Sequence, residues 1–468
     1  MYMDKSCDRS YDNILDNIKR VHFIGIGGSG MCPLAEILIQ KGYSVSGSDM
    51  SDGDTLQRIR ETYDIKVYMG HKAENIDGAE LVVYTAAVKD DNPELVSARQ
   101  QNIPTIERSV MLGILSRKYS DTIAVAGTHG KTTTTAMISQ ILIGSSVDPT
   151  AVIGGKLPAI GGNSYVGKSE VMVCEACEYV DSFLQITPAV AVILNVDADH
   201  LDYFENLDNI KKSFRKFTAQ TSKIVVVNGD DANSLECTNP DLPVLTFGFS
   251  DNCDYKAVMT SSSDTVYDSF DLFFKNTKIC NINLSVPGKH NVYNALAAVA
   301  VCHYMGVSPE NIAKNLNEFT GVHRRFEILG RYGGITIADD FAHHPTEISA
   351  ALTAAKGMGF RKVWNIFQAH TFSRTVVLLD DFAKALSIAD EAIILEILPV
   401  RETNTFNIYN TDIGKKVPGS KCIDTFEDAT KYVCENAQDG DLILTMGGGN
   451  VYMCANMIND ILKSKYSE

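Results

Sequence analysis

A lysine and a run of hydroxyl side chains follow a short turn bounded by two glycines. Residues 122–135 read T-I-A-V-A-G-T-H-G-K-T-T-T-T, an apolar strand, then the turn, then the start of a predicted helix. Backbone N–H groups of such a turn and the helix N-terminus favour phosphate, and Lys131 adds a mobile cation. Thr132 is placed to bind the Mg²⁺ that accompanies the phosphates. The segment therefore predicts a nucleoside triphosphate site.

This turn departs from the Walker pattern, G-x-x-x-x-G-K-[ST]. Val125 stands where the first glycine would be, and Gly127 and Gly130 bracket a shorter turn. The alternative is a glycine–lysine helix start with a structural role only. Strand, turn and helix signals agree here, which favours phosphate binding.

A second glycine pattern, G-x-G-x-x-G, is formed by Gly25, Gly27 and Gly30 after an apolar run. Asp49 follows the last glycine at the distance expected of an acid that binds a ribose. A helix N-terminus of this kind holds a diphosphate, which NAD and a UDP-linked substrate both carry. A tight turn that binds no ligand is the third interpretation. The pattern by itself leaves the three open.

Acids and a histidine follow two further predicted strands. The segment C-E-A-C-E carries Glu175 and Glu178, and N-V-D-A-D-H-L-D-Y carries His200 and Asp202. A hard cation prefers carboxylate and hydroxyl oxygens and accepts an imidazole. We therefore expect Thr132, Glu175 and His200 to form a metal site at three adjacent strand ends. Glu178 and Asp202 are interpreted as helix N-terminal acids stabilised by the helix dipole.

Cys174 and Cys177 form a C-x-x-C, which can indicate a redox pair or half of a zinc site. The sequence has no second C-x-x-C. A strand end with an acid between the two thiols fits the metal–phosphate role better.

The elements that must position these residues alternate between strand and helix, which predicts parallel sheets and an α/β fold. We expect three domains, at residues 1–118, 119–322 and 323–468, with Gly321–Arg325 as the link into the third. Predicted strands of the first domain lie near 21–26, 44–47 and 81–84. A helix near 109–119 bridges to the second domain, whose strands begin at 122 and lie near 171–174, 190–195 and 224–228, with a small β subregion near 244–286. Those of the third lie near 335–338, 362–367, 391–395 and 442–446.

Composition narrows the class of protein. The chain has 468 residues, of which 45% are apolar, and its net charge is −16. This charge argues against broad binding of nucleic acid or anionic membranes. The polar N-terminus lacks a signal-peptide core, and no apolar run reaches transmembrane length. Eleven scattered cysteines are typical of reduced thiols, so a cytoplasmic protein is expected.

Seven segments, in this order, resemble the motifs of the Mur ligase family, and the resemblance covers nearly the whole chain. They are G-I-G-G-S-G-M, A-G-T-H-G-K-T-T-T, A-D-H-L-D-Y-F, G-K-H-N-V-Y-N-A, H-R-R-F-E, D-D-F-A-H-H-P-T-E and F-Q-A-H-T-F-S-R-T. The resemblance implies a Rossmann-like domain for a UDP-linked substrate and a central P-loop-type ATPase domain with a parallel sheet plus a small β subregion. A Rossmann-like C-terminal domain would follow.

The resemblance also implies a reaction in peptidoglycan precursor synthesis. The γ-phosphoryl group of ATP would move to the lactyl carboxylate of UDP-N-acetylmuramate. The amine of L-alanine would attack the resulting acyl phosphate, and phosphate would leave. ATP and Mg²⁺ are the implied cofactors, and UDP-N-acetylmuramate and L-alanine the implied partners. Monomer and homodimer stay open.

The site residues implied by the resemblance fall into four groups. The UDP-linked substrate would be bound by Gly25, Gly27, Gly28, Ser29, Gly30, Met31, Ser48, Asp49, Thr85 and Ala86. ATP would be bound by Gly127, Thr128, His129, Gly130, Lys131, Thr132, Thr133, Asn291, Asn294, Arg325 and Asp340. Catalysis would rest on Lys131, Glu175, His200, His343 and Arg374. The metal ligands would be Thr132, Glu175 and His200.

Some positions depart from the family pattern. Phe341 stands where many members have tyrosine, Thr371 where many have arginine, and A-C-E-Y where others have A-D-E-S. His343 and Arg374 then remain as contacts to the amino acid, and His343 as a candidate acceptor of its proton.

Two pairs of adjacent residues, His343–His344 and Asp339–Asp340, are each expected to combine a functional and a structural residue. His344 is interpreted as a packing or strand-end histidine beside a proline. Of Asp339 and Asp340, we expect Asp340 to be functional and Asp339 to be a solvated strand end.

Other functions remain as alternatives. A nicotinamide-dependent dehydrogenase would use the first glycine loop. A non-enzymatic UDP-sugar sensor or inactive scaffold would catalyse neither hydride transfer nor phosphoryl transfer. Within the family, a recycling ligase would attach a preformed peptide to the same UDP sugar, and a sibling would add a later amino acid. The segments H-T-F-S-R-T and D-D-F-A-H-H-P favour the L-alanine acceptor.

Overall fold

The computed structural model describes residues 7–260, 268–400 and 402–466. The chain divides into two compact units. The first comprises Met1–Ala257, Leu272–Cys280 and Tyr293–Leu316, and the second comprises Val258–Asp271, Asn281–Val292 and Asn317–Glu468. In the described part of the chain, no helix combines the length and apolar character needed to cross a bilayer.

The N-terminal region of the first unit contains a five-stranded parallel sheet in the order β3-β2-β1-β4-β5. Its elements in chain order are β1 (Arg20–Ile24), α1 (Cys32–Gln40), β2 (Ser44–Asp49), α2 (Asp54–Thr62), β3 (Lys66–Met69), β4 (Leu81–Tyr84), α3 (Pro93–Gln100), β5 (Thr105–Glu107) and α4 (Arg108–Ser116). Ile24 pairs with both Ser48 and Tyr84, so the three strands end at one edge. That edge carries the first glycine loop.

A ten-stranded sheet follows, in the order β15-β14-β13-β12-β11-β10-β6-β9-β7-β8. The elements of this region are β6 (Asp121–Ala126), α5 (Lys131–Gly144), β7 (Thr150–Leu157), β8 (Gly162–Tyr165), β9 (Val171–Glu175), β10 (Val190–Ile193), α6 (Leu201–Phe204), α7 (Leu207–Ala219), β11 (Ile224–Asn228), α8 (Ala232–Leu235), β12 (Val244–Gly248), β13 (Tyr255–Met259), β14 (Ser269–Phe274), β15 (Thr277–Asn283), α9 (Lys289–Tyr304) and α10 (Pro309–Asn317).

The centre of this sheet is parallel. β6 lies between β9 and β10, and Val125 pairs with Glu175 while Ala126 pairs with Ile193. The second glycine turn, Glu175 and the chain after Ile193 therefore emerge at one carboxyl edge. Ligands of open α/β sheets bind at such edges.

The second unit contains a six-stranded sheet in the order β16-β17-β21-β18-β19-β20. Its elements are β16 (Glu327–Tyr332), β17 (Ile335–Asp340), α11 (Pro345–Gly357), β18 (Lys362–Phe367), α12 (Phe372–Val377), α13 (Leu379–Leu386), β19 (Glu391–Ile394), α14 (Asn410–Gly414), β20 (Lys421–Cys422), α15 (Phe426–Asn436), β21 (Asp441–Met446) and α16 (Tyr452–Tyr466). All pairings are parallel except that of β16 with β17.

Most predicted strands and helices are present. The central strands of the sheets have continuous runs of buried residues, as expected of parallel sheets. The strands predicted at 81–84, 224–228 and 362–367 have the observed bounds. The strand predicted to reach Asn195 ends at Ile193, and the helix predicted to reach Tyr119 ends at Ser116.

Two antiparallel elements were not predicted from the sequence. β16 forms a hairpin with β17, and β7 pairs with β8. The residues of β16 and the second half of β8 are partly exposed, so the apolar patterns of these two strands are weaker than those of the buried strands.

Candidate active site

The second glycine turn joins β6 to α5 and requires both of its glycines. Gly127 has φ 143° and Gly130 has φ 86°, conformations that L side chains rarely adopt. A Cβ atom on Gly127 would lie 2.9 Å from the Cβ of Leu194, and one on Gly130 would collide with the Oδ1 of Asn294. Asn294 also accepts a hydrogen bond from Thr134, at 3.2 Å. The predicted residue Asn294 therefore lies against this turn.

Asn195 binds the main chain of the turn from the neighbouring strand end. Its Oδ1 accepts the His129 N–H at 2.8 Å, and its Nδ2 donates to the His129 carbonyl at 3.0 Å. Its own carbonyl accepts the Thr128 N–H at 3.0 Å. Thr128 and His129 are predicted to bind phosphate, but their backbone N–H groups donate to Asn195 instead. Phosphate donors therefore begin with the first N–H groups of α5, which have no partner within the helix.

Lys131 is held at the start of α5 by a buried carboxylate. Its Nζ lies 2.9 Å from Oε2 and 3.2 Å from Oε1 of Glu178, and it also donates to the carbonyls of Gly127 and Thr128. Glu178 is 2% exposed. It precedes the 3₁₀ helix Tyr179–Gln185 and makes no side-chain capping bond there. The interpretation of Glu178 as a dipole-stabilised helix acid therefore missed its main partner, Lys131.

The charge of Lys131 is stabilised by this arrangement. Burial lowers the pKa of the Lys131 ammonium, but the attraction of Glu178, with additions from Cys177 and Glu175, outweighs burial and raises the pKa above its ordinary value. Lys131 is therefore a permanent cation at the helix N-terminus at neutral pH.

Glu175 ends β9 beside the same turn. Its Oε1 accepts the N–H of Gly154 from β7 at 2.5 Å. A Cβ on Gly154 would lie 2.5–2.8 Å from the Glu175 carboxylate group, so the glycine makes room for it. Thr132 is 7% exposed in the first turn of α5. A hydroxyl and a carboxylate at adjacent strand ends are suitable ligands for a hard cation.

His200, the third predicted ligand, lies against an aromatic ring. Its φ is 54°, and its ring centroid lies 4.6 Å from that of Tyr179. The Tyr179 hydroxyl donates to Asp202 Oδ2 at 3.4 Å. Tyr203 continues the group, because its ring lies 6.4 Å from Tyr179 and its hydroxyl donates to the buried Asp181 at 2.8 Å. Tyr179 is the last residue of A-C-E-Y, where this sequence departs from the family motif A-D-E-S, and its ring serves as a platform for the His200 ring.

The C-x-x-C has no disulfide, since Cys174 and Cys177 are both free thiols. Burial raises the pKa of Cys174 to about 12, with a further contribution from Glu175. The Cys174 thiol is therefore protonated at neutral pH, unlike a reactive cysteine.

The first glycine loop is closed by its neighbours on β2. The Ser48 carbonyl accepts the N–H groups of Gly25 and Ile26, and Asp49 Oδ2 accepts that of Gly27 at 2.9 Å. Asp49 therefore holds the loop itself. The Ser48 hydroxyl is buried and donates to Glu94 at 2.6 Å, so it is engaged within the domain.

The remaining donors of this loop are clear from its hydrogen bonds. Gly28 donates to the Gly25 carbonyl, and Met31 to the Gly28 carbonyl. The N–H groups of Ser29 and Gly30 donate to no acceptor in the described part of the chain. They are the natural donors for a diphosphate at this helix start.

Two other side chains border the loop. Thr85, predicted from the sequence, lies so that a Cβ on Gly25 would be 3.0 Å from its Cγ2. Arg108 was not predicted. A Cβ on Gly30 would lie 3.1–3.3 Å from its guanidinium end, which places a cation beside the unused N–H groups. An arginine opening a helix after a strand of the same sheet was the available signal. Ala86, also predicted, is exposed at the same strand end.

In the second unit, Asp339 and Asp340 are both buried, at 1% and 9% exposure. The expectation of a solvated Asp339 is therefore wrong. Asp339 accepts from Arg324 at 2.9 Å, and Arg324 also donates to the Gly447 and Gly449 carbonyls. Arg324 thus holds a third glycine turn, Gly447-Gly448-Gly449, which directly follows β21.

Asp340 accepts the N–H groups of Phe326, at 2.8 Å, and Ala342, at 2.7 Å. Burial raises the pKa of Asp340 from 3.8 to about 6, although Arg325 and the backbone donors lower it. The guanidinium of Arg325 lies 5.1 Å from the centroid of the Phe341 ring. Phe341, which replaces a tyrosine, therefore packs against the predicted ATP-binding arginine.

The two adjacent histidines have different roles. His344 is the N-cap of α11 and accepts from Thr346 at 3.3 Å, which supports its structural interpretation. The Nδ1 of His343 lies 3.0 Å from the Phe341 carbonyl. A carbonyl only accepts, so this nitrogen carries a proton.

His343 lies near a second histidine. The ring centroids of His343 and His370 are 5.7 Å apart, and a Cβ on Gly448 would lie 3.4 Å from both rings. Arg374 Nη1 donates to the His370 carbonyl at 2.9 Å. The second unit therefore brings His343 and the third glycine turn together with His370, to which Arg374 is bound. Asn291, predicted to bind ATP, donates to the Pro287 carbonyl at 2.7 Å.

Protein-family models match three consecutive parts of the chain. They describe the catalytic domain of the Mur ligase family at residues 20–120, the Mur ligase middle domain at 125–302, and the Mur ligase glutamate ligase domain at 324–449.

Whole-length relatives agree with these matches. The UDP-N-acetylmuramate–L-alanine ligase of Acetivibrio thermocellus is 46% identical over 95% of this chain and 97% of its own length. The enzyme of that name from Caldanaerobacter subterraneus is 45% identical over 94% and 96%. The crystal structure of UDP-N-acetylmuramate–alanine ligase from Thermotoga maritima aligns with a TM-score of 0.82 and 29% identity, over 95% of this chain and 99% of that one. The predicted three-domain α/β architecture is confirmed, and the chain belongs to the Mur ligase family.

Proposed function

We propose that this chain joins L-alanine to the lactyl carboxylate of UDP-N-acetylmuramate, using ATP and an acyl-phosphate intermediate. The observation that carries this proposal is the whole-length similarity to ligases of that name. Two phosphate-type glycine loops within the first unit supply the chemistry that such a reaction needs.

The ATP side of the proposal rests on Lys131 and the start of α5. The triphosphate would lie at the N–H groups from Lys131 to Thr133, with the Lys131 ammonium offsetting charge on the transferring phosphoryl group. Since Glu178 holds Lys131 at 2.9 Å, the ammonium is oriented before nucleotide binds. Asn294 would help to place the nucleotide, because it lies against Gly130.

A magnesium ion fits the donors of this site. Thr132 and Glu175 would hold it through oxygen, and His200 would hold a cation through its imidazole nitrogen. When bound, the ion would offset the negative charges of the ATP phosphates and the lactyl carboxylate, which must approach each other. Within the chain, Gly154 orients Glu175 and Tyr179 orients the His200 ring.

The diphosphate of the UDP-linked substrate would bind at the Ser29 and Gly30 N–H groups. Gly25, Gly27, Gly28 and Met31 shape this loop, Asp49 and Ser48 hold it, and Thr85 and Ala86 border it. Arg108 would add a positive charge at the same place. Backbone N–H groups and a guanidinium form charge-assisted hydrogen bonds to phosphate oxygens, so these donors suit a diphosphate.

His343 is the proposed acceptor of the amine proton of L-alanine. With Nδ1–H directed at the Phe341 carbonyl, the neutral ring carries its lone pair on Nε2. Arg374 would bind the carboxylate of the amino acid, and Arg325 and Asp340 would contribute to the ATP site.

The same proposal assigns residues 1–118 to the UDP-linked substrate, 119–322 to ATP, and 323–468 to the amino acid with a share in ATP binding. It places the enzyme in the cytoplasm, where its nucleotide substrates occur.

An acceptor panel tests this function. Phosphate release is measured with ATP, Mg²⁺ and UDP-N-acetylmuramate, with L-alanine, L-serine, glycine or a preformed tripeptide as acceptor. We expect L-alanine to give the highest kcat/KM. A wide advantage for the tripeptide would replace the proposal with a recycling ligase. Absorbance change at the nicotinamide band without ATP would instead indicate a dehydrogenase.

A further inference from the structure

Asn163, on β8 of the central sheet, contacts the first glycine loop from a distant part of the chain. Its side-chain Nδ2 donates to the Ser29 carbonyl at 2.7 Å, across 134 residues of sequence. Asn163 is 7% exposed, so the donor side of this hydrogen bond is largely shielded from water. Asn163 lies outside the seven family-like segments of the sequence.

The hydrogen bond fixes the direction of a neighbouring donor. In a trans peptide, the carbonyl of one residue and the N–H of the next lie in one plane and point in opposite directions. Asn163 holds the Ser29 carbonyl, and so it also sets the direction of the Gly30 N–H. That N–H is one of the two in the loop that donate to no acceptor in the described residues.

The orientation of the Asn163 amide is itself determined by its surroundings. Its Oδ1 accepts from Arg58 Nη2 at 3.4 Å. Arg58 is bound in turn to Glu36, at 2.6 Å, and Glu36 is 1% exposed on α1. Ser164, the next residue of β8, donates to the other oxygen of Glu36. An arginine on one side and a carbonyl on the other allow only one orientation of the amide.

We propose that Asn163 is a positioning residue for the UDP-linked substrate, acting through the Ser29–Gly30 peptide. This inference rests on the proposed binding of a UDP sugar at the loop. Asn163 would bind the loop and make no direct contact with the substrate. Its effect is to keep the Gly30 N–H aimed outward, so that binding of the diphosphate requires no rotation of the peptide.

Two substitutions separate the donor from other properties of the side chain. Asn163→Asp keeps the shape and the contact to Arg58 but replaces the donor with an acceptor facing a carbonyl. Asn163→Ala removes the donor without adding charge. We expect both to raise the KM for UDP-N-acetylmuramate by about tenfold or more, with the KM for ATP within about twofold of the parent value. At saturating substrate, kcat should change little.

Ser164→Ala is the matched control, because it lies on the same strand and in the same network but does not touch the loop. It should leave both KM values within about twofold of the parent. Thermal unfolding of each variant reports whether the fold is retained.

Three results would overturn the inference. They are unchanged KM for the UDP sugar in Asn163→Ala, an equal rise of both KM values, or an equal effect of Ser164→Ala. In the first case, an effect seen with Asn163→Asp alone would be explained by repulsion from the new charge. Failure of the parent enzyme to release phosphate with UDP-N-acetylmuramate would refute the proposed function instead.

Discussion

The Lys131 ammonium lies 2.9 Å from the Glu178 carboxylate, and both side chains are mostly shielded from water, at 16% and 3% exposure. Each of the two is therefore poorly solvated without the other. The same ammonium donates to the carbonyls of Gly127 and Thr128, so the ion pair also ties the glycine turn to the chain after β9. Lys131 is thus part of the structure of its loop as well as a candidate phosphate ligand.

Glu178→Gln should destabilise the fold by about 2 kcal/mol, because it leaves a shielded ammonium without its counter-charge. Urea denaturation of the full-length chain measures this change. Asp90→Asn is the matched control. It breaks the exposed Arg99–Asp90 pair, also 2.9 Å long, and should change the free energy of unfolding by less than about 0.5 kcal/mol. Equal effects of the two substitutions would contradict the structural role of Glu178.

Gly154→Ala should weaken metal binding, because the new Cβ would lie 2.5–2.8 Å from the Glu175 carboxylate group and displace it. The concentration of Mg²⁺ that gives half-maximal turnover should rise by about tenfold, with the KM for UDP-N-acetylmuramate little changed. Gly357→Ala is the control, since nothing lies within 4 Å of a Cβ there. An unchanged magnesium requirement would remove Glu175 from the metal site.

Tyr179→Ala should also raise the magnesium requirement, by about three- to tenfold, because the His200 ring loses the ring at 4.6 Å that restricts it. Tyr179→Phe keeps the platform and loses only the hydroxyl bond to Asp202, so it should resemble the parent enzyme. Titration of turnover with Mg²⁺ and with Mn²⁺ checks both variants. The role of the ring would be refuted if Phe and Ala were equally impaired.

Asp340 should make the fold less stable as the pH rises from about 4 to about 6. Its pKa is raised in the folded state, to about 6 from 3.8, so the folded protein binds more protons than the unfolded chain in this window. Stability then falls with rising pH, and the effect is complete above the folded pKa.

Asp340→Asn should flatten that part of the curve, and denaturant titrations at several pH values measure it. Asp381→Asn, on the exposed surface of α13, should leave the slope unchanged. A parent curve that rises between pH 4 and 6 more steeply than that of Asp340→Asn would contradict the raised pKa.

The sequence predicted the fold well where its strands are buried on both faces. β4, β11 and β18 have the predicted bounds because continuous apolar runs mark such strands. It did not predict β8 and β16, whose residues are partly exposed and lack a strong pattern. Asn163 lies on one of these weakly patterned strands, which is why its contact to Ser29 could not be anticipated.

The sequence by itself determined the family, the two phosphate-type loops and the identity of most chemical groups, because glycines, a lysine and acids at fixed spacing are local properties of the chain. Only the tertiary structure decided how these groups are paired. In the folded protein Glu178 pairs with Lys131, Gly154 donates to Glu175, and Asn163 donates to Ser29. Asp339 is buried. Each of these contacts joins residues that are distant in sequence, and which of them meet depends on strand order and register, which short-range patterns do not specify.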